Sequence, residues 1–279
     1  MINLKDIQAR NLINPEPKEV TEARKFIRDS FKDLMFVEGT HQYFVGSKEL
    51  PSVSAVCHSF QPEVDWDSIA ARKAEKEGKT KEELLEEWHQ KNITSTSCGS
   101  KTHYFGEQLM NLFIGEQVNL PFQYTPDNYI IPYAPKEKAV EAYWTDILNN
   151  PDVYPVMPET KIYIDNGKIK PYAGTFDILL AYRYHGGIVF AVQDFKTNAD
   201  LKNDFNRFKK NHLLDPFTDL IDEPLSIYSI QLSLYQLALE SIGISVIDRT
   251  LVWLKEDGSY EKIRTKDLTN RLLACLPYS

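Results

Sequence analysis

Residues 188–196 constrain the fold of this chain more than any other segment. If this run is a β-strand, apolar side chains fall on both of its faces, as the neighbours Val189 and Phe190 illustrate. A strand that is apolar on both faces belongs inside a sheet. The same run ends in Asp194 and Lys196, and charge at the end of a buried strand is costly unless it is paired.

The surrounding segments predict an α/β fold. Two further strand-like runs precede the buried strand, at Glu159–Ile164 and Ala173–Ala181. An apolar helix at Ser226–Ile242 and a strand at Thr250–Leu254 follow it. This order of elements predicts one α/β core over residues 95–279.

Residues 1–94 predict an extension, mainly helical, that packs on this core. Its predicted elements are a helix at Lys18–Leu34, a β-hairpin within Phe36–Val45, and two charged helices, Asp65–Glu77 and Thr80–Lys91, separated at Gly78. The small residues of Ser95–Gly99 predict a break before a further helix at Lys101–Phe113.

Composition excludes several classes of protein. The 279 residues carry a net charge of −8, which argues against coating nucleic acid by bulk charge. The longest apolar run is too short to span a bilayer, so no membrane partner is expected. Three scattered cysteines, Cys57, Cys98 and Cys275, provide no disulfide framework and no set of four ligands for an iron–sulfur cluster. We therefore expect a reducing, cytoplasmic location, which would be the host cytoplasm if the protein is phage-encoded.

Hairpin geometry brings Asp177 close to Asp194 and Lys196. If His185-Gly186 forms the tip, Asp177 faces Asp194, whereas a Gly186-Gly187 tip makes it face Lys196. In either register the Cβ atoms lie within about 4.5–8 Å of one another. Two opposed carboxylates favour a cation between them, and hard oxygen ligands favour Mg²⁺ or Mn²⁺. A structural Asp–Lys pair at a sheet edge is the alternative that these residues alone leave open.

An acidic residue, an Asp on one strand and Asp-x-Lys on the next resemble the PD-(D/E)XK nuclease superfamily. The matching positions are Glu159, Asp177 and Asp194-Phe195-Lys196. Gly99-x-x-x-His103 and Gln231-Leu-Ser-Leu-Tyr235 resemble two motifs of its RecB-like branch, which includes phage exonucleases and the mitochondrial genome maintenance exonuclease. The resemblance covers roughly residues 95–255. It implies a restriction-endonuclease-like core, in which a central mixed sheet is flanked by helices.

The resemblance also implies a catalytic metal site for Mg²⁺ or Mn²⁺. Its implied ligands are His103, Asp177, Asp194, the backbone carbonyl of Phe195, and Glu159. Lys196 would orient or help deprotonate the attacking water, and desolvation is expected to lower its pKa. Glu107, one helical turn after His103, would hold the imidazole or contact the metal through water.

The resemblance implies that Gln231 and Tyr235 contact DNA near the scissile phosphate and support Lys196. The local positive charge of residues 196–212 makes Lys202 and Arg207 candidate contacts to DNA. Phe205 and Phe208 lie in the same segment, which predicts either a strand-guiding loop or a solvated loop anchored by aromatic residues.

The function implied is a metal-dependent exonuclease that acts on single- or double-stranded DNA ends in recombination, repair or phage genome replication. A single-strand annealing protein, or a replication or recombination protein, is the implied protein partner. Two alternatives remain, namely a non-catalytic DNA-end binding or assembly subunit on the same fold and a structure-specific endonuclease. Intact Asp177, Asp194 and Lys196 disfavour the first alternative, and the histidine and Gln-x-x-x-Tyr motifs disfavour the second.

Overall fold

The strand predicted to be buried lies in the middle of a five-stranded sheet. The structure is a computed structural model that describes residues 4–118 and 134–277. The helices in this part of the chain are α1 (Leu4–Ile13), α2 (Lys18–Ser30), α3 (Val53–His58), α4 (Trp66–Glu77), α5 (Lys81–Ile114), α6 (Ala134–Asn149), α7 (Asp204–Lys209), α8 (Pro224–Ser241) and α9 (Thr269–Cys275). The strands are β1 (Leu34–Val37), β2 (Gln42–Val45), β3 (Lys48–Leu50), β4 (Val153–Ile164), β5 (Tyr172–Tyr184), β6 (Gly187–Lys196), β7 (Val246–Leu254) and β8 (Tyr260–Arg264).

The larger sheet is mixed, and its strands lie in chain order from β4 to β8. Strands β4, β5 and β6 form an antiparallel meander, β6 pairs in parallel with β7, and β7 pairs antiparallel with β8. Helix α8 lies between β6 and β7 in the chain, as a parallel connection requires. The predicted α/β class with a mixed sheet flanked by helices is therefore confirmed.

Helices cover both faces of this sheet. On one face, the aromatic side chains of Tyr143 and Trp144 in α6 pack with residues of α1 and α5 and with Phe195 of β6. On the other face, α2, α3, α8 and α9 pack against residues such as Phe176 of β5 and Val192 of β6. Because Phe195 points toward α5 and α6, its neighbours Asp194 and Lys196 point toward α8.

The hairpin between β5 and β6 has the first of the two predicted registers. Tyr184 pairs with Gly187, so His185 and Gly186 form the tip. Pairing continues along both strands as far as Ile178 and Gln193. It stops there, one residue before Asp177 and Asp194.

The extension before residue 95 contains more sheet than predicted. The predicted hairpin at Phe36–Val45 is confirmed by the antiparallel pairing of β1 with β2, and β3 adds a third strand. The predicted helix from Lys18 ends at Ser30, four residues early, because Leu34 already begins β1.

The predicted break at Ser95–Gly99 is wrong. Helix α5 runs without interruption from Lys81 to Ile114 and joins the two predicted helices, so the expected boundary between residues 94 and 95 falls inside it. A Cβ atom on Gly99 would be in ordinary van der Waals contact, 3.4 Å from Oγ1 of Thr197. At Gly106 a Cβ would lie only 2.6 Å from the Phe195 ring, so this glycine lets α5 approach β6 closely.

Cys57, Cys98 and Cys275 all lie in the described part of the chain and are free thiols. Cys57 and Cys98 are buried in the core. Among the described residues, no helix combines the length and the apolar character that crossing a membrane would need.

We expect Gly106→Ala to destabilise the protein by about 1–3 kcal/mol, because the added methyl group must displace the buried Phe195 ring. Gly99→Ala is the matched control, since its methyl group has room and alanine favours a helix interior by about 1 kcal/mol. Urea unfolding of the two variants measures both effects. Equal stability of the two variants would contradict the close packing of α5 on β6.

Candidate metal centre

Three side chains from three different elements converge beside the end of β6. Nδ1 of His103, on α5, lies 3.1 Å from Oδ2 of Asp177 on β5 and 3.6 Å from Oε1 of Glu159 on β4. One potential ligand atom from each residue falls within 4.8 Å of the others. A histidine nitrogen with two carboxylate oxygens at this separation is a donor set that can hold a divalent cation.

The end of the hairpin pairing creates the space for this cluster. Where β5 and β6 stop pairing, Oδ2 of Asp177 accepts a hydrogen bond of 2.7 Å from the backbone N–H of Phe195. A side chain thus replaces the next backbone bond of the ladder, and Asp177 is fixed in position next to Asp194.

Backbone strain at Glu159 accompanies the cluster. The residue lies opposite Asp177 in the β4–β5 register, between the pairs formed by Pro158 and Thr160. Its φ of +37° is a left-handed value that costs energy for a residue with a side chain. Strain of this kind concentrates at functional sites, where the surrounding structure holds it in place.

Asp194 and Lys196 form an ion pair directly beside the cluster. Nζ of Lys196 lies 2.5 Å from Oδ2 of Asp194, whose side chain is 2% exposed. This close approach lacks the angles of a hydrogen bond, so the buried Oδ2 has no hydrogen-bond partner. Asp194 lies outside the His103–Glu159–Asp177 group as the side chains stand, although it was predicted as a ligand of the same metal.

Gln231 and Tyr235 support Lys196 from α8. Nζ of Lys196 donates to Oε1 of Gln231 at 3.3 Å, and Nε2 of Gln231 donates to the Tyr235 hydroxyl at 2.9 Å. Tyr235 is 3% exposed and packs on Gly174, where a Cβ would come within 2.8 Å of its ring. The predicted contact of Tyr235 with DNA is therefore wrong, because the ring is buried behind Gln231.

Burial and mutual repulsion raise the pKa of two of the carboxyl groups. Burial, followed by the charge of Asp177, raises the pKa of Glu159 to about 7 and that of Asp194 to about 6. For Asp177 burial acts in the same direction, but the charge and hydrogen bond of His103 outweigh it and lower its pKa. The carboxylate cluster is thus a buried excess of negative charge.

The pKa values of both basic groups of the site are raised. Burial alone would lower the pKa of His103, but Asp177 and Glu159 outweigh it and raise that pKa well above its ordinary value. The same balance holds at Lys196, where Asp194, Tyr228 and Asp177 overcome the effect of burial and raise the pKa. The nearby charges are anionic, so the ammonium is stabilised in the metal-free protein, and the lowering of the Lys196 pKa beside a bound metal stays a prediction.

The remaining predicted residues differ in their surroundings. Glu107 lines the same clefts as Glu159, and its charge contributes to the raised pKa of Glu159. Arg207 is exposed and forms a two-pronged ion pair with the buried Glu223, at 2.6 Å for each contact, and its contact with DNA stays a prediction. Lys202 is exposed to solvent. The carbonyl of Phe195 stays a predicted ligand.

Tyr228 is a neighbour of Lys196 that the sequence motifs missed. Nζ of Lys196 lies 4.1 Å from the centroid of the Tyr228 ring, a cation–π contact. The Tyr228 hydroxyl donates to Oδ1 of Asn198 at 2.9 Å, which fixes the ring. Its position one helical turn before Gln231 was the available signal, since residues three apart share a helix face.

Clefts open on both sides of the cluster. One, of about 620 Å³, is lined by His103, Glu107 and Glu159 together with residues of β1 and β2. The other, of about 1150 Å³, reaches Lys196 and Gln231 from the side of α3 and α4. The converging groups are thus accessible to a ligand from two directions.

Comparison with known proteins found no family model that matches this chain, and no curated protein matches it.

We expect Glu159→Gln to stabilise the metal-free protein at pH 8. The pKa of Glu159 is about 7 in the folded protein against an ordinary 4.5, so the folded state binds the extra proton and loses stability as pH rises through this interval. The neutral amide of the variant removes this loss of folding stability, which is on the order of 1–3 kcal/mol. Urea unfolding in EDTA at pH 5 and pH 8 measures the difference in free energy of unfolding between the variant and the parent. A stability gain that is equal at both pH values would contradict the ionisation of Glu159 in this interval.

Proposed function

We propose that this chain is a divalent-metal-dependent DNA nuclease of the PD-(D/E)XK type, with a restriction-endonuclease-like core. The observation that carries the proposal is the convergence of His103, Glu159 and Asp177 next to the Asp194–Lys196 pair, in a cleft. An ordinary structural Asp–Lys pair would not need a histidine and a second and third carboxylate beside it.

The residues present fit a divalent cation. Oδ2 of Asp194 is buried without a hydrogen-bond partner, and burial with like-charge repulsion raises the pKa of Asp194 and Glu159. A doubly charged ion would neutralise this excess of carboxylate. Carboxylate and carbonyl oxygens with a single imidazole suit Mg²⁺ or Mn²⁺.

The residues that would hold the ion are His103, Glu159, Asp177 and Asp194, with the carbonyl of Phe195. When bound, the ion polarises the scissile phosphate and lowers the pKa of a water molecule. Lys196, whose ammonium is stabilised by Asp194 and Asp177 in the metal-free protein, would orient water or phosphate and offset developing negative charge. Gln231 and Tyr228 hold the ammonium in place through a hydrogen bond and a ring face.

The substrate proposed is DNA with free single- or double-stranded ends, processed in recombination, repair or phage genome replication. A single-strand annealing protein, or a replication or recombination protein, would be its partner. The proposed substrate and partner rest on the motifs that resemble those of the RecB-like branch, Gly99-x-x-x-His103 and Gln231-x-x-x-Tyr235.

We expect the purified protein to degrade linear DNA with Mg²⁺ or Mn²⁺ and to stop on addition of EDTA. Oligonucleotides labelled at the 5′ or the 3′ end, single- and double-stranded, report the direction of cleavage. Lys196→Ala should lower the rate by roughly 10²–10³-fold, because it removes a fixed positive charge from the site.

Lys18→Ala provides the matched control, since Lys18 is an exposed lysine on α2 that pairs with Glu22, and it should cleave at the parental rate. If the Asp194→Ala protein still cuts at the parental rate, the proposed catalytic site is wrong. Cleavage of closed circles would instead indicate an endonuclease, and DNA binding without cleavage would indicate a non-catalytic end-binding subunit.

We expect Mn²⁺ to bind at one site, to raise the thermal midpoint, and to bind more tightly at pH 8 than at pH 6. Binding requires His103 and Glu159 to lose protons, and both pKa values are raised in the metal-free protein. Calorimetry in two buffers with different heats of ionisation measures the affinity and the released protons. Asp177→Asn should weaken binding by at least about tenfold, and His103→Ala by less.

Affinity that is unchanged in Asp177→Asn, or that falls as pH rises, would show that the ion binds elsewhere.

A further inference from the structure

A broad groove leads to Lys196 from the side of the sheet opposite to the His103 cleft. Its volume is about 1150 Å³, and Lys196, Tyr228 and Gln231 form its inner end. One wall comes from α3 and the start of α4, and the other comes from α7 and the segment that follows it. We call it the Trp66–Phe205 groove after the largest exposed ring on each wall.

The two rings are exposed far beyond what a core residue shows. Trp66 is 62% exposed and Phe205 is 65% exposed, and both line the groove. Trp66 contacts Trp88 in a T-shaped arrangement at a centroid distance of 6.4 Å and still exposes most of its surface. Flat apolar surfaces on opposite walls suit a flat partner, such as an unpaired nucleobase.

The charge of the groove argues against a partner held mainly through phosphates. Its lining includes three cations, Arg72, Lys196 and Lys210, and four carboxylates, Glu63, Asp65, Asp222 and Glu223. Binding to a duplex depends on neutralising phosphates with many lysines and arginines. Bases in a duplex are stacked on one another and offer no free faces, whereas those of a single strand do.

We propose that the Trp66–Phe205 groove binds one single strand of nucleic acid by stacking bases on these two rings, and leads its backbone to Lys196. Guidance of the backbone to Lys196 rests on the proposed nuclease function, whereas binding of a strand by base stacking does not. Asn203, Asn206 and Asn211 also line the groove, and hydrogen bonds tie their side chains to one another and to Asp222.

The test measures binding to the full chain in EDTA, so that no cleavage occurs. The probes are a fluorescently labelled 12-residue oligothymidine, an abasic strand of the same length, and a blunt duplex. We expect oligothymidine to bind and the abasic strand to bind at least tenfold more weakly. The plot of log affinity against log salt should have a slope no steeper than about −2, because at most three cations line the groove.

Removing the rings should weaken oligothymidine binding by roughly 5- to 100-fold for each ring in Trp66→Ala and Phe205→Ala. Phe208→Ala is the matched control, since this phenylalanine lies on the same short helix, is 80% exposed and does not line the groove. Circular dichroism and the thermal midpoint verify that the variants fold. Trp66→Phe, which keeps a ring, should retain most of the affinity.

Equal binding of the abasic strand and oligothymidine, or equal loss in Phe208→Ala and Phe205→Ala, would overturn the proposal. Failure of the groove is distinguishable from failure of the nuclease. Metal-dependent cleavage by a protein that loses no affinity without its rings would overturn the groove alone. Ring-dependent strand binding by a protein that never cleaves would overturn the nuclease and leave the strand-binding half intact.

Discussion

The end of backbone pairing between β5 and β6 is the feature on which the rest of the site depends. Past Ile178 and Gln193 the two strands separate, and Asp177 reaches across to the N–H of Phe195. This arrangement fixes a carboxylate next to Asp194 within a protein core, where like charges repel and water cannot screen them. His103 and Lys196 offset part of that concentration of charge.

The compensation comes from elements that are far apart in the chain. His103 arrives on α5, which approaches the sheet because Gly106 lies against Phe195. Lys196 lies two residues after Asp194 and is held by α8 through Gln231. The two basic groups offset the carboxylates in part, while burial and then the charge of Asp177 keep the pKa values of Glu159 and Asp194 raised.

Much of this arrangement was predictable because it is local. Alternation within β6 placed Asp194 and Lys196 on one face, and the turn residues restricted the β5–β6 hairpin to two registers, of which the structure has one. The helix break at Ser95–Gly99 was predicted wrongly, since small residues can mark a turn or a close contact, and only the neighbouring sheet distinguishes these. The ion pair of Arg207 was not predicted, because its partner, Glu223, lies sixteen residues away.

The sequence by itself determined the strand and helix types, the hairpin that joins Asp177 to Asp194, and the motif that contains Lys196. These depend on periodicity and on turn chemistry, which act over a few residues. Only the tertiary structure decided that Tyr235 is buried, that Tyr228 faces Lys196, and that Asp194 and Asp177 raise the pKa of Lys196 in the metal-free protein. Burial and electrostatic balance sum over groups from distant segments, and a linear pattern does not contain those distances.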